Sequence, residues 1–448
     1  MSGKKAQIKN NHVSNVVSQE MREAKLSALG ESLTAKELPY SVASGIPVRS
    51  RTFNGQTRDI MSGHSSNKDC HGSQASKDAP DLVCLSHLRW NFVYQRPQHL
   101  MSRCAQGQRI FFIEEPIFGP YPAGRIDVTR HESGVWVVVP YLAEGLSEEA
   151  VNAAQQDLLD GLFAEYQIGK YICWYYTPMA MAFTRHLSPL AIVYDCMDEL
   201  SAFAGASPIL RNLEAELFSR ANLVFTGGQS LYESKVNQHP NVYAFPSSVD
   251  VAHFAQARNI KEDPADQANI PHPRLGFFGV IDERMDIELL GGIAEARPDW
   301  HLVIIGPVVK IDPAILPRRE NIHYLGGKDY KELPAYLAGW DLAMLPFARN
   351  SSTRFISPTK TPEYLAAGTP VVSTSIRDVI RPYGQKGIVR IADTVTDFVV
   401  AAEAAMNENS DASGWLRQVD AFLAQNSWDR TWASMMQLVE SAIGVSVL

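Results

Sequence analysis

Cysteine is scarce in this chain: the five present, Cys70, Cys84, Cys104, Cys173 and Cys196, are odd in number, widely separated and never form a C-x-x-C pair. That spacing excludes a disulfide framework and a cysteine-ligated zinc site, and it predicts a reducing, cytoplasmic setting. There is no run of 18 apolar residues and no apolar signal-peptide core, so contact with the inner membrane face is expected to be peripheral at most. A basic excess is missing as well. The net charge of −8 argues against nucleic acid as a partner, because neutralising phosphates requires a cationic face. No G-x-G-x-x-G follows a strand, which weighs against a dinucleotide-dependent oxidoreductase. No D-x-D occurs anywhere, so that closely spaced carboxylate pair for a divalent cation is absent, and neither metal nor cofactor is expected.

At 448 residues, 20% charged and 45% hydrophobic, the chain is globular in composition and long enough for two cores. Residues 1–78 are rich in Ser, Asn, Lys, Gln and Gly and read as a disordered polar extension. From Asp81 the pattern changes to short apolar runs: "DLVCLSH", "RIFFIEE", "VWVVVPY", "KYICWYY", "LAIVYDCMD" and "NLVFTGG". A second series is "RLGFFGV", "HLVIIGP", "NIHYLGG", "DLAMLPF", "PVVST" and "GIVRIA". Continuous apolar strands alternating with helices imply parallel sheets covered on both faces. The expected architecture is α/β, with two doubly wound Rossmann-like domains over 79–250 and 251–425 and a C-terminal helix over 426–448. "FPSSVDVAHFAQARNIKEDPADQANIPHP" reads as the connection between them. Ligands of such sheets bind beyond the carboxyl ends of the strands, here in the cleft between the two domains.

One segment carries most of the chemistry. In "ISPTKTPEYLAAGTPVVST", Ser357-Pro358 and Thr361-Pro362 are both helix-start signatures, and Gly368 reads as the residue that closes the helix. Free amides at a helix start attract anions, and Lys360 adds a full positive charge. Glu363, one turn away, makes sense beside a phosphate if it binds the hydroxyls of an attached sugar. Gly279 ends a strand and either lets a ligand approach the backbone closely, with Arg284 a cation within reach, or is a plain turn with a surface arginine; Gly306 ends another strand and by itself is only a turn. Gly326 to Lys328 reads first as a plain turn, though its backbone could contact a nucleotide base, and Arg349 and Arg354 lie in a hydroxyl-rich loop that suits diphosphate and sugar hydroxyls or solvent alike. In the first half, "QRPQHLM" opens a helix from which Gln95, Arg96 and His99 would face the cleft, near either an acceptor or the diphosphate. Asp195 and Asp198 follow a buried strand; one of them could orient an acceptor hydroxyl, and Asp195 reads equally well as a structural strand-end residue. His87 lies just past the first strand.

The ordered segments "GVIDERMD", "VIIGP", "IHYLG", "YKELPAYLAGWDL" and "SPTKTPEYLAAGTPVVST" resemble the C-terminal domain of GT-B glycosyltransferases of the family 4 type. Upstream, "WNFVYQRPQHLMSR", "YDCMDELSAF", "LVFTGGQSLYESK" and "PSSVDVAHF" resemble the teichuronic-acid and exopolysaccharide branch of that family. The resemblance spans residues 81 to 440. It implies a nucleotide-sugar donor, UDP before GDP, and a glycan or lipid-linked acceptor. Glu363 would bind the ribose hydroxyls and Lys360 the diphosphate. Gly279, Gly306 and Ser357 would complete the donor site, and Arg284, Lys360 and Asp198 would be the catalytic groups. Retention of anomeric configuration is likewise implied by the family. Two positions depart from its pattern. The first of its two glutamates is replaced by Phe355, and its Arg and Lys pair after the first glycine of the domain is reduced to Arg284. The rival reading is a non-catalytic nucleotide-sugar-binding or scaffold protein of the same fold.

Overall fold

The computed structural model describes residues 79–203, 205–408 and 412–444; the polar extension read over 1–78 lies outside the described residues. All described residues fall within one unit of the chain, Pro47–Leu448.

The first nine strands are β1 (Asp81–Leu85), β2 (Ile110–Ile113), β3 (Ile117–Gly119), β4 (Arg125–Arg130), β5 (Trp136–Ala143), β6 (Tyr171–Tyr175), β7 (Ala191–Cys196), β8 (Leu223–Thr226) and β9 (Val242–Ala244). They form one sheet in the order β3-β5-β2-β1-β6-β7-β8-β9, with β4 added to β5. Every pairing is parallel except β4 with β5. β1, β2, β6, β7 and β8 are buried along their whole length, as expected of strands covered on both faces. All six apolar runs of this half become strands. The other three, β3, β4 and β9, are short or half-exposed edge elements with no continuous apolar signal.

The second sheet contains β10 (Arg274–Phe278), β11 (His301–Ile305), β12 (Ile322–Gly326), β13 (Leu342–Leu345), β14 (Val371–Ser373) and β15 (Arg390–Ile391). Its order, β12-β11-β10-β13-β14-β15, is all parallel and reverses direction between β10 and β13. That is the doubly wound order 3-2-1-4-5-6, whose crevice opens where the strand order reverses. In the first sheet the same reversal falls between β1 and β6.

The connecting segment is more ordered than its composition predicts. Val249 and Phe254 are fully buried in the core of the second sheet, which pins the connection to that lobe. The helix Trp428–Ala442 crosses back: Trp428, Met435 and Val439 complete the core of the first sheet beside Leu82, Trp174 and Phe225. Its apolar spacing marks it as a core-packing helix, and the structure assigns that core to the N-terminal lobe.

Candidate functional site

The site begins with two glycines that end β10 and β11. Gly279 and Gly306 have φ of +150° and +143°, in a region that L side chains rarely adopt. A Cβ on Gly306 would lie 1.8 Å from the Gly279 carbonyl oxygen, so the two turns abut and neither tolerates a side chain. Beyond them the loops are laced together. Gly279 N–H donates to Ile305 O at 2.9 Å, Ile281 N–H to Pro307 O at 3.0 Å, and Val309 N–H to Ile281 O at 3.0 Å. The loop after β13 joins through Ala348 N–H, which donates to Arg284 O at 2.8 Å.

The helix that carries the charge pair spans Lys360–Ala367 and starts between the two expected positions, with Thr359 as its cap residue. Pro362 is tolerated because it lies in the first turn, where the missing N–H would have had no intrahelical partner. Gly368 closes the helix at φ +83°. Tyr364 locks the helix to the end of β10: its hydroxyl accepts from Phe278 N–H at 2.9 Å and donates to Phe278 O at 3.2 Å.

Lys360 therefore reaches over Gly279, where a Cβ would meet its Cε at 3.2 Å, and its Nζ donates to Thr359 Oγ1 at 3.0 Å. Burial pulls the Lys360 ammonium below its ordinary range, and the neighbouring Glu363 charge opposes that shift. Glu363 is 5% exposed, and its Oε2 has no hydrogen-bond partner among the described residues. Burial pushes its carboxyl up to about 7, with Lys360 pulling the other way. A buried carboxylate with an unfilled acceptor is costly unless something else satisfies it.

Arg284 is committed within its own loop. Its Nε donates to Asp282 Oδ1 at 2.9 Å and its Nη2 to Oδ2 at 2.7 Å, and Asp282 is buried. Asp198 faces it from the N-terminal lobe, raised to about 6 by burial despite the nearby Arg284 charge. Of the two expected aspartates, Asp198 is the one held near these cations.

Asp195 has a different fate, and it takes Arg96 with it. Arg96 is 2% exposed rather than facing the cleft: its Nε donates to Asp195 Oδ1 at 3.0 Å and its Nη1 to Phe245 O at 2.7 Å. Arg96, at the start of the helix that follows β1, and Asp195, near the end of β7, satisfy each other in the interior of the lobe, where buried charges must be paired. His99 is also buried, stacked on Trp428 at 4.6 Å, and burial holds it neutral, well below the ordinary histidine range. Gln95 serves the helix start: its N–H donates to Gln98 Oε1 at 3.0 Å. Of these three, only Gln95 keeps partial exposure. Ser357 lies at the seam between the lobes, where its carbonyl accepts from Ser247 Oγ at 3.2 Å. Lys328 is held by Asp266 at 2.6 Å, and Arg349 by Asp393 at 3.1 Å. Phe355 packs against the apolar cluster of the first sheet.

Sequence reasoning missed several residues here. Tyr330 stacks on Tyr94 of the other lobe at 4.5 Å and on His253 at 4.3 Å, and its buried hydroxyl has no partner among the described residues. Lys310 and Phe203 meet across the lobes at 5.1 Å. Their only sequence signal is a lone charge or aromatic in a loop, which carries no address. Among the described residues no group of three or more His, Cys, Asp or Glu is arranged to hold a metal ion, and no helix is long and apolar enough to cross a membrane.

With this geometry in place, the chain can be compared with known proteins. Residues 272–408 match the family described as glycosyl transferases group 1. A Bacillus subtilis (strain 168) protein named as a teichuronic acid biosynthesis glycosyltransferase, TuaH, is 26% identical over 278 residues, covering 57% of this chain and 68% of its own. Sucrose-phosphate synthase from Thermosynechococcus elongatus superposes with a TM-score of 0.61 at 15% identity, over 82% of this chain and all of its own. Anabaena HepE in complex with UDP and glucose gives 0.58 at 12% identity, over 80% and 99%. The UDP-forming α,α-trehalose-phosphate synthase of Burkholderia xenovorans, in complex with glucose-6-phosphate, gives 0.59 at 11% identity, over 81% and 100%. The chain is a transferase enzyme of GT-B fold whose residues 272–408 form a glycosyl transferases group 1 domain.

Proposed function

We propose that the protein moves a sugar from a nucleotide-sugar donor, UDP-linked in the first instance, to a glycan or lipid-linked acceptor in cell-surface polysaccharide synthesis. The observation that carries this reading is the Glu363 carboxylate, buried at the strand ends with Oε2 unpartnered, one turn from Lys360. Two vicinal ribose hydroxyls fill such an acceptor, and the adjacent ammonium then meets the diphosphate. Solved structures of the same fold hold UDP with glucose, and TuaH is named for teichuronic acid biosynthesis, which supports the donor and acceptor classes respectively.

The mechanism follows from charge. Breaking the anomeric C–O bond places negative charge on the diphosphate and oxocarbenium character on the sugar. Lys360, the amides at its helix start and Arg284 meet that developing charge in a partly desolvated site. Asp198, its proton affinity raised by burial, would hold the acceptor hydroxyl. No protein nucleophile and no metal take part, and departure and attack occur on the same face. Phe355, packed against the N-terminal lobe, leaves the transferred sugar without the carboxylate that related enzymes place there.

The test is a thermal-shift screen of UDP- and GDP-sugars, followed by release of free nucleotide with and without acceptors. A donor at 100 times its dissociation constant stabilises the fold by about 2.7 kcal/mol. Stabilisation without nucleotide release in the presence of any acceptor would support the non-catalytic scaffold instead, and no stabilisation by any donor would reject the reading.

A further inference from the structure

Three cations stand around the two glycine turns, each with carboxylate charge nearby. Arg284 is held by Asp282, and Lys360 lies beside Glu363. Lys310 is the third: unlike the other two it is exposed, like Lys360 it forms no ion pair among the described residues, and the carboxylates of Asp198 and Glu115 act on it through their charge alone. Its backbone has φ +62°, one of only two positive-φ positions among the described non-glycine residues. The other, Gln167, closes a helix, whereas Lys310 sits in an open loop, and that conformation has to be imposed by its surroundings.

The surroundings do impose it. Val309 N–H donates to Ile281 O at 3.0 Å, and Ile281 pairs with Val308 as an isolated parallel bridge. The loop of Lys310 is thereby fastened to the loop of Arg284 in a fixed register. Both cations then lie over one ring, that of Phe203 from the opposite lobe: Lys310 Nζ is 5.1 Å from its centroid and Arg284 Cζ 5.7 Å. The positive charge of Lys310 also reaches Asp198 and His87 of that lobe; burial holds His87 down to about 4, and the Lys310 charge adds to that shift.

We propose that Lys310 is a diphosphate-binding residue of the donor site, acting with Lys360 and Arg284 from the adjoining loop. Resting on the reading above, this assigns the second loop cation that the segment after Gly279 does not itself supply. The Phe203 ring is the apolar stand-in that accepts both cations by cation–π contact. A diphosphate offers a stronger partner at the same place, since charge-assisted bonds to phosphate exceed a contact with a neutral ring.

The test is calorimetric titration of the full chain with UDP, GDP and inorganic pyrophosphate, on wild type, Lys310→Asn, Lys310→Arg and Glu363→Ala. Asn tolerates the left-handed backbone, so the first variant removes charge without adding strain; melting temperatures check that each variant is folded. The expected result is that Lys310→Asn weakens the nucleotide bound by wild type, and pyrophosphate with it, by about 10- to 100-fold. Lys310→Arg should bind within about threefold of wild type, and Glu363→Ala should lose nucleotide while keeping pyrophosphate. If folded Lys310→Asn binds nucleotide and pyrophosphate within twofold of wild type, the inference about Lys310 fails and the donor-site reading stands. If wild type binds none of the three, both fail.

Discussion

The Asp378 carboxylate, from the second lobe, accepts the backbone N–H of Ser230 at 3.0 Å and the hydroxyl of the same residue, joining the two lobes in a buried contact. Glu233, one helical turn on from Ser230, pairs with Arg377 at 2.8 Å and with Arg381. Asp378→Ala leaves the Ser230 donor buried without an acceptor, which costs about 1–3 kcal/mol. Asp378→Asn retains one acceptor oxygen and should lose less. Urea denaturation of both variants checks this, and equal losses would mean that the seam is held by something other than this pair.

Gly228 stands against the same carboxylate: a Cβ there would lie 2.3 Å from Asp378 Oδ2 and 2.8 Å from Ser357 Cβ. Gly228→Ala should therefore part the seam at Ser357 and weaken donor binding at least fivefold, while Gly414→Ala, which meets nothing within 4 Å, should leave affinity unchanged. Donor titration of the two variants decides it.

The pH dependence of Glu363 has a defined sign. Its folded carboxyl is raised to about 7 from an ordinary value of 4.5, so its protonated form favours the folded state. That contribution is present in full below the ordinary carboxylate range and is lost as pH rises through about 7. Glu363→Gln should match wild type near pH 5 and be more stable at pH 8 by about 1–3 kcal/mol. Donor binding needs the carboxylate and runs the other way, with wild-type affinity rising about tenfold from pH 6 to pH 8. Melting curves and donor titrations at the three pH values check both slopes, and a flat affinity profile would remove Glu363 from the ribose.

Lys360→Ala should lower kcat more than it raises donor KM, because the group it faces gains charge in the transition state. Glu363→Ala should chiefly raise KM, by about 10- to 150-fold. Effects of both within twofold would reduce the pair to a helix-end charge decoration. EDTA should leave turnover unchanged, and a tenfold loss restored by Mn²⁺ would overturn the metal-free mechanism.

Trp428 is 1% exposed, stacked on His99 and buried in the core of the lobe that lies more than 180 residues earlier in the chain. Trp428→Ala should cost about 3–5 kcal/mol, read from the urea midpoint. If the C-terminal helix were merely laid on the surface, the loss would be below about 1 kcal/mol.

The sequence by itself determined the two sheets, because strands covered on both faces read as mostly continuous apolar runs, and all twelve such runs became strands. It also determined the helix that closes at Gly368 and the one-turn spacing of Lys360 and Glu363, since caps and helical period are local properties. Only the tertiary structure decided which charges remain available to a ligand. Arg96 and Arg284 look alike in sequence. The first is paired with Asp195, 99 residues away, and buried within the first lobe, whereas the second is held by Asp282 at the edge of the site. His99 becomes a neutral core ring because Trp428 returns from the far end of the chain. Lys310 acquires a position only because two strand-end loops are bonded to each other. Pairing between distant charges depends on which groups the fold buries together, and burial is settled by packing across the whole chain rather than by any window along it.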